Sequence, residues 1–326
     1  MAHACNIGFC ASWADGITMS ICNSIWLQFR LTNIYRLLYL TSSSIFNQQR
    51  FRADGILFPN LHKALFVACY CKMTLHYDIN WLTERFESGD TLKFIYFWGH
   101  TNNYNETVGK FCFSQWFESP FTVDNIKYKT SEHWMMAHKA LLFGDRNNFE
   151  KIINCDKPKE AKELGRQVLA YDDQTWNEKK FDIVKLGNIH KFNQNPDFAK
   201  YLLQTDNRVL VEASPVDAIW GIGLSQDSKD IDNIYAWRGQ NLLGFVLMET
   251  RDFLKEFGHF KNLDNSLQPP WRQFENINYN DMFWRMGKGE DYLSNFAKYY
   301  LALIDREKII YKLTNPSPPD WANFYD

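Results

Sequence analysis

The 326-residue chain has no excess of either charge: 36 Lys and Arg face 38 Asp and Glu, a formal net charge of −2. It therefore has no global basic field of the kind that drives nonspecific nucleic-acid binding. It lacks any C-x-x-C pair, so neither a zinc ribbon nor a thioredoxin-like motif is present. The seven cysteines (5, 10, 22, 69, 71, 112 and 155) are odd in number and irregular in spacing, as expected of reduced thiols in a cytoplasmic protein. No G-x-x-x-x-G-K-[ST] and no G-x-S-x-G occurs, so a P-loop and the usual hydrolase elbow are absent. Gly221-Ile222-Gly223 lacks the third glycine of a dinucleotide fingerprint. No clean apolar span of about 20 residues exists either, because Arg30 and Arg36 interrupt the run from Ile17 to Leu40. The start is also a poor secretory signal, and no membrane association is expected.

What is present is apolar and aromatic residues, at 45% and 17%, enough for a sizeable core. They are unevenly set among charges. Residues 1–72 hold only two acids, Asp15 and Asp54, and five of the seven cysteines. We expect this leader to be disordered or an over-extended start, with weak likeness to a transit peptide and Met73 opening the functional protein.

From Met73 onward the patterns predict elements. Helical spacing covers Tyr77–Ser88 with Asp78 as N-cap. The run Leu92–Trp98 reads as a buried strand. Phe121–Lys129 alternates around Asp124-Asn125, a hairpin signal. Thr130 or Ser131 then caps a helix that stops at Gly144. Further helices are expected at Arg146–Asn154, Pro158–Leu169, Asp173–Phe192, Pro196–Gln204 and Gln240–Phe257, with a second buried strand at Arg208–Ser214. The tail from His259 is rich in Pro, Trp and Tyr and carries one helix near Glu290–Ile304. Helices with few strands and no regular βαβ alternation indicate an α+β fold. The expected division is a leader at 1–72, a domain at 73–258 with its core at 94–253, and an extension at 259–326.

Several residues invite chemistry, each with a plainer alternative. Glu132 stands in the first turn of a helix, where an acid stabilises through the dipole alone. Lys139 lies seven residues on, on nearly the same face and about 10 Å along the axis, a span that could separate a sugar from its phosphate; such a lysine is also commonly just solvated. Arg166 could bind phosphate or merely complement a helix end. Trp176 could cap the core or wall a stacking site. In Val211–Gly223 an acid, Asp217, precedes Trp220 by three residues beside permissive glycines, as in a buried turn or in a pocket for a flat ligand. His133 and His138 are five apart, not the four of a zinc-binding helix, and no acid or cysteine cluster completes a ligand set.

Five segments in register carry a resemblance: CFSQWFESPFTVDNIKYKTSEHW, KPKEAKELGRQV, KFNQNPDFAKYLLQT, LVEASPVDAIWGIG and GQNLLGFVLMETRD. Together they resemble the NADAR family, the YbiA-like N-glycosidases, over about Phe94 to Phe253. The resemblance implies a compact, mostly helical α+β domain with a small sheet, beside a disordered leader and a C-terminal tail. It implies hydrolysis of N-glycosidic bonds with no cofactor and no metal. One activity in the family splits phosphoribosylamino-pyrimidines of early riboflavin synthesis into a pyrimidine and ribose 5-phosphate; another branch removes ADP-ribose from guanine in nucleic acid. The family's functional positions fall on Glu132 and Asp217 as acids and on Trp176 and Trp220 as rings. Lys139, Arg166 and Asn241 are added as substrate contacts. Gln115 replaces a common Asn, Trp134 replaces a common Tyr, and Ser225–Arg238 is a longer insertion; these departures bear on substrate rather than on the acid set. The expected partner is a small nucleotide-like substrate, with ADP-ribosylated nucleic acid as the alternative. Two rival readings are a non-catalytic NAD or ADP-ribose binding module and a structural protein, which would scatter the four residues through unrelated parts of the core.

Overall fold

The computed structural model describes residues 76–101, 106–321 and 324–325, with no side-chain description for Pro319. The leader and the proposed start at Met73 lie outside the described residues.

Helix α1 (Ile79–Glu87) begins where Asp78 accepts the Trp81 N–H at 2.7 Å. Strand β1 (Phe94–Phe97) follows and pairs in parallel with a strand more than 100 residues later, β4 (Val209–Glu212), with Phe97 opposite Glu212. The antiparallel hairpin β2–β3 (Phe121–Val123, Ile126–Tyr128) turns at Asp124 and Asn125, whose φ angles of 54° and 61° are those of a two-residue primed turn. Helix α2 (Ser131–Leu142) is capped by Thr130 and stops before Gly144, which takes φ 73°. Then come α3 (Arg146–Asn154), α4 (Pro158–Arg166), α5 (Asp173–Gln194) and α6 (Pro196–Leu203). After β4, α7 spans Leu242–Phe257.

Helix α2 is the hub. Every residue from Ser131 to Ala137 is buried, because α3, α4 and α5 pack around it. Glycines make two of those approaches possible. A Cβ at Gly187 of α5 would stand 2.4 Å from the Trp134 ring, and that ring donates its N–H to Ile183 O at 2.8 Å. Gly165 of α4 meets Met136 in the same way. Helix α7 lies against both α5 and β4.

The sequence expectation of a fully buried strand at Leu92–Trp98 needs correction. Only Phe97 of β1 is buried, and Trp98 lies beyond the strand at 57% exposure. Among the described residues that sheet has two strands, and no third strand pairs with β1. The insertion Ser225–Arg238 partly fills that place: Tyr96 donates to Asp232 at 2.7 Å, and Tyr235 reaches Glu87 of α1 at 2.8 Å.

The tail folds further than the one helix expected. It forms α8 (Pro270–Gln273), α9 (Lys288–Ala302) and α10 (Asp305–Thr314) around a cluster of Trp271, Phe296, Tyr311 and Trp321. The α10 pattern is masked in the sequence by its short spacing from α9. The tail is tied to the domain: Asn193 exchanges two hydrogen bonds with Phe260, and His190 Nε2 contacts Leu313 O at 2.9 Å. Among the described residues no helix is long and apolar enough to cross a membrane.

Candidate functional site

Because β1 and β4 run parallel, their C-terminal ends open on the same side, the side where α/β sheets place ligands. Glu212 ends β4 there, opposite Phe97. The chain then turns through Pro215–Gly221. Asp217 Oδ1 accepts the backbone N–H groups of Ile219 and Trp220 at 2.9 and 2.8 Å, which fixes both the carboxylate and the indole three residues on. Trp220 is partly buried and packs on the core. Gly221 is required: a Cβ there would stand 2.8 Å from Glu212 O.

Glu132 enters from the N-terminus of α2. Its backbone N–H donates to Gln115 O at 3.0 Å, joining the helix to the loop that carries Trp116, whose side chain favours the ionised form of the Glu132 carboxyl. The residue is 2% exposed, and its Oε1 has no hydrogen-bond partner. Burial lifts the Glu132 carboxyl to about 7, opposed by Lys162, the Trp116 bond and Arg166 and reinforced by Asp217. Glu212 is pushed to about 8, first by burial and then by the charges of Asp217 and Glu132, with Lys162 opposing. Three carboxyls and two cations thus converge from α2, α4, β4 and the following turn. Lys162 also approaches the Trp116 ring, 5.7 Å from its centroid.

The structure therefore brings Glu132, Asp217 and Arg166 together, and Trp220 adjoins them through the turn. Lys139 and Trp176 form a second group along α2. The Lys139 ammonium stands 4.1 Å from the Tyr171 ring centroid and 5.6 Å from that of Trp176, and burial lowers its pKa. Seven residues of helix separate it from Glu132, about 10 Å.

Asn241 has a different place from the substrate contact expected of it. It is fully buried; its Oδ1 accepts the Glu212 N–H and its Nδ2 donates to Leu210 O, both at 2.9 Å. With both ends of the amide bound to β4 it holds the strand rather than a ligand. His133 lies within 2.8 Å of Thr130 Oγ1, and His138 stacks on Trp134 with centroids 3.7 Å apart. No group of metal-binding side chains occurs among the described residues.

Sequence reasoning missed Glu212, Lys162 and Trp116. Glu212, Trp116 and Lys162 all lie inside quoted segments, and Lys162 also sits one helical turn before Arg166. Two clefts lie elsewhere and include none of the acids. One of about 750 Å³ runs along Phe192, Ala199, Leu203 and Leu254; one of about 450 Å³ lies between the hairpin and Phe260. Neither is lined by Glu132, Glu212 or Asp217, although the second includes Asp124 and Lys261.

A family model, the NADAR domain, matches residues 96–255, which includes Trp116, Glu132, Lys162, Arg166, Glu212, Asp217 and Trp220. N-glycosidase R617 of Acanthamoeba polyphaga mimivirus is 46% identical over 169 residues, covering 50% of this chain and 97% of that protein. The chain belongs to the NADAR domain family. Protein irg-1 of Caenorhabditis elegans is 38% identical over 139 residues, 42% of this chain and 66% of its own length. N-glycosidase YbiA of Escherichia coli (strain K12) is 31% identical over 142 residues, 44% of this chain and 80% of that protein. The NMR structure of E. coli YbiA aligns over 52% of this chain and 90% of its own with a TM-score of 0.41 at 26% identity. The NADAR match ends at 255, so the extension from His259 lies beyond it.

Proposed function

We propose that this NADAR protein is an N-glycosidase that hydrolyses the bond between a flat base and a ribose phosphate. Relatives named N-glycosidase support the reaction class. The convergence of Glu132, Glu212 and Asp217 with Trp116, Lys162 and Arg166 at the strand ends is the observation that carries it.

Breaking a C–N glycosidic bond builds positive charge on the anomeric carbon and ring oxygen. A fixed carboxylate beside that charge lowers the barrier. Asp217, held by two backbone N–H groups, fills this role. The leaving nitrogen needs a proton, and a carboxyl acid lifted to about 7 can supply one near neutral pH. Glu132 fills that role. Trp220 stacks the base, a contact worth roughly 1–3 kcal/mol. Arg166 and Lys162 offer positive charge to a phosphate, and Lys139 with Trp176 extends the binding face about 10 Å along α2.

The substrate we favour is a phosphoribosylamino-pyrimidine, giving ribose 5-phosphate. The aromatic and cationic group at Lys139, Tyr171 and Trp176 supports a second reading, a longer ADP-ribosyl-guanine substrate in nucleic acid. Chromatography of purified protein with phosphoribosylamino-pyrimidine, NAD and an ADP-ribosylated guanine oligonucleotide separates these, because they yield respectively a free pyrimidine, nicotinamide, and free ADP-ribose with the unmodified oligonucleotide. Glu132→Gln should abolish release with the fold retained. Wild-type rates in that variant would overturn the assignment, and binding of NAD without release would favour a binding module.

A further inference from the structure

Helix α5 grips the two residues that precede Trp116. Lys191 Nζ donates to Ser114 O at 2.9 Å, and Gln115 Nε2 donates to Asn188 Oδ1 at 3.2 Å. Asn188 and Lys191 are three apart and share one face of the helix. The amide orientations follow from the chain of partners. Asn188 Nδ2 donates to Val184 O at 2.8 Å; a carbonyl only accepts, so the Asn188 oxygen is the end left to receive Gln115. The Ser114–Gln115 segment in turn holds α2, because Gln115 O accepts the Glu132 N–H at 3.0 Å. That N–H lies in the first turn of α2, where a helix offers no partner of its own. Two residues on, the Trp134 ring ties α2 to the same helix through Ile183 O at 2.8 Å. Glu132 is thus located from α5 by two routes, one through Trp134 and one through Ser114–Gln115.

The second route contains an expensive residue. Lys191 is fully buried, its hydrogen bond goes to a carbonyl, and burial lowers its pKa to about 8, with Cys112 opposing. A buried cation that meets no carboxylate weakens a fold, and an apolar side chain of similar volume commonly serves stability as well or better. Such a breach of the packing rules is expected where function requires it. What Lys191 holds is the carbonyl of Ser114, one residue before the one that holds Glu132.

We propose that Lys191, Asn188 and Gln115 are positioning residues for Glu132, a buried relay from α5 that fixes the start of α2 and with it the acid that protonates the departing base nitrogen. The catalytic half rests on the N-glycosidase reading; the hold on the Glu132 backbone does not. None of the three touches the reacting atoms in this scheme, and each acts through Glu132.

The test uses the full chain as Lys191→Met, Asn188→Leu and Gln115→Met, each near the original in size and each keeping the backbone carbonyls of 114 and 115. Amide hydrogen exchange followed by NMR reads the hold directly. Exchange at the Glu132 N–H should quicken by about 10-fold or more in each variant, while Ala137 and Ala140 further along α2 stay protected and Tm is retained. Unchanged exchange at Glu132, or exchange that rises equally along α2 as Tm falls, marks ordinary packing and overturns the proposal. If one variant does not fold, the other two decide; if none folds, the three residues are structural and the proposal fails.

For the catalytic half, kcat and KM are measured with the phosphoribosylamino-pyrimidine, NAD and oligonucleotide probes. Misplacing the acid should lower kcat by about 10- to 100-fold and leave KM within about twofold. Asn188→Leu with Gln115→Met should be no worse than either alone, because both break one bond. Wild-type kcat in all three variants, or losses that add in full in the double variant, overturn the relay. If wild type releases base from no probe, the catalytic half falls with the N-glycosidase reading, and exchange at Glu132 alone decides the hold.

Discussion

Asn241 binds the end of β4 through both halves of its amide, accepting from Glu212 N and donating to Leu210 O at 2.9 Å each. It does so from a left-handed backbone, φ 54°, a conformation that Asn tolerates better than most residues. Asn241→Ala should leave a buried N–H and a buried carbonyl without partners and cost about 1–3 kcal/mol for each such group. Urea denaturation measures this. A loss below about 0.5 kcal/mol, the range of an ordinary surface substitution, would deny the clasp.

Gly187 and Gly165 look equivalent in sequence, each an isolated glycine in a helix, but they should respond oppositely to alanine. A Cβ at Gly187 meets the rigid Trp134 ring at 2.4 Å, so the ring must move and its 2.8 Å bond to Ile183 O is put at risk. A Cβ at Gly165 meets the Met136 sulfur at 2.0 Å, and a methionine side chain can swing aside. Gly187→Ala should lower Tm by several degrees. In Gly165→Ala the helix-propensity gain of about 1 kcal/mol should offset much of the rearrangement.

Trp116 acts to lower the Glu132 pKa. Trp116→Phe keeps an aromatic ring and removes the indole N–H, so the Glu132 midpoint should rise above about 7 in a pH titration of 13C-labelled glutamate carboxyls. An unchanged or lower midpoint would remove Trp116 from the site.

The buried titratable groups make stability depend on pH from two directions. Glu132 and Glu212 have folded pKa values raised to about 7 and about 8. Their contribution is full below the ordinary glutamate value and is lost as pH rises through 7 and 8. His138 and His190 are depressed by burial to about 3 and about 4, so their contribution is full above the ordinary histidine value and is lost as pH falls toward 4 and 3. The Glu132→Gln, Glu212→Gln double variant should therefore lose less stability than wild type between about pH 4.5 and 8.5, by roughly 1.4 kcal/mol for each unit of pKa elevation removed. Thermal melts across that range check it, and parallel curves would show that the carboxyls are not buried as described.

Trp220 is held three residues from Asp217 by the Asp217 carboxylate itself. If it stacks the base, Trp220→Ala should raise KM by about 5- to 150-fold, the equivalent of 1–3 kcal/mol, while Trp220→Phe retains most of the affinity. Steady-state kinetics on the responsive probe would decide. An unchanged KM in Trp220→Ala would leave the ring a core residue only.

Local signals in the chain were enough to place most elements. Asp78, Thr130 and Gly144 mark helix ends because capping and left-handed glycine act within one turn. Asp124-Asn125 marks the hairpin because its turn conformation is a property of two residues. Glu132, Asp217 and Trp220 stood out through segments shared with a family, and Trp176 as the ring that the resemblance places on the long helix. Glu212 did not stand out, because in sequence it is one acid at the end of an apolar strand. Its elevated pKa comes first from burial, then from Asp217 across a turn and from Glu132, 80 residues away. Asn241 carried the opposite error, a polar residue whose role as a strand clasp depends on Leu210 and Glu212, about 30 positions earlier. Capping, turns and periodicity are settled between near neighbours and so are written in the chain; desolvation and the meeting of charges need distant segments packed together, and only the tertiary structure decides them.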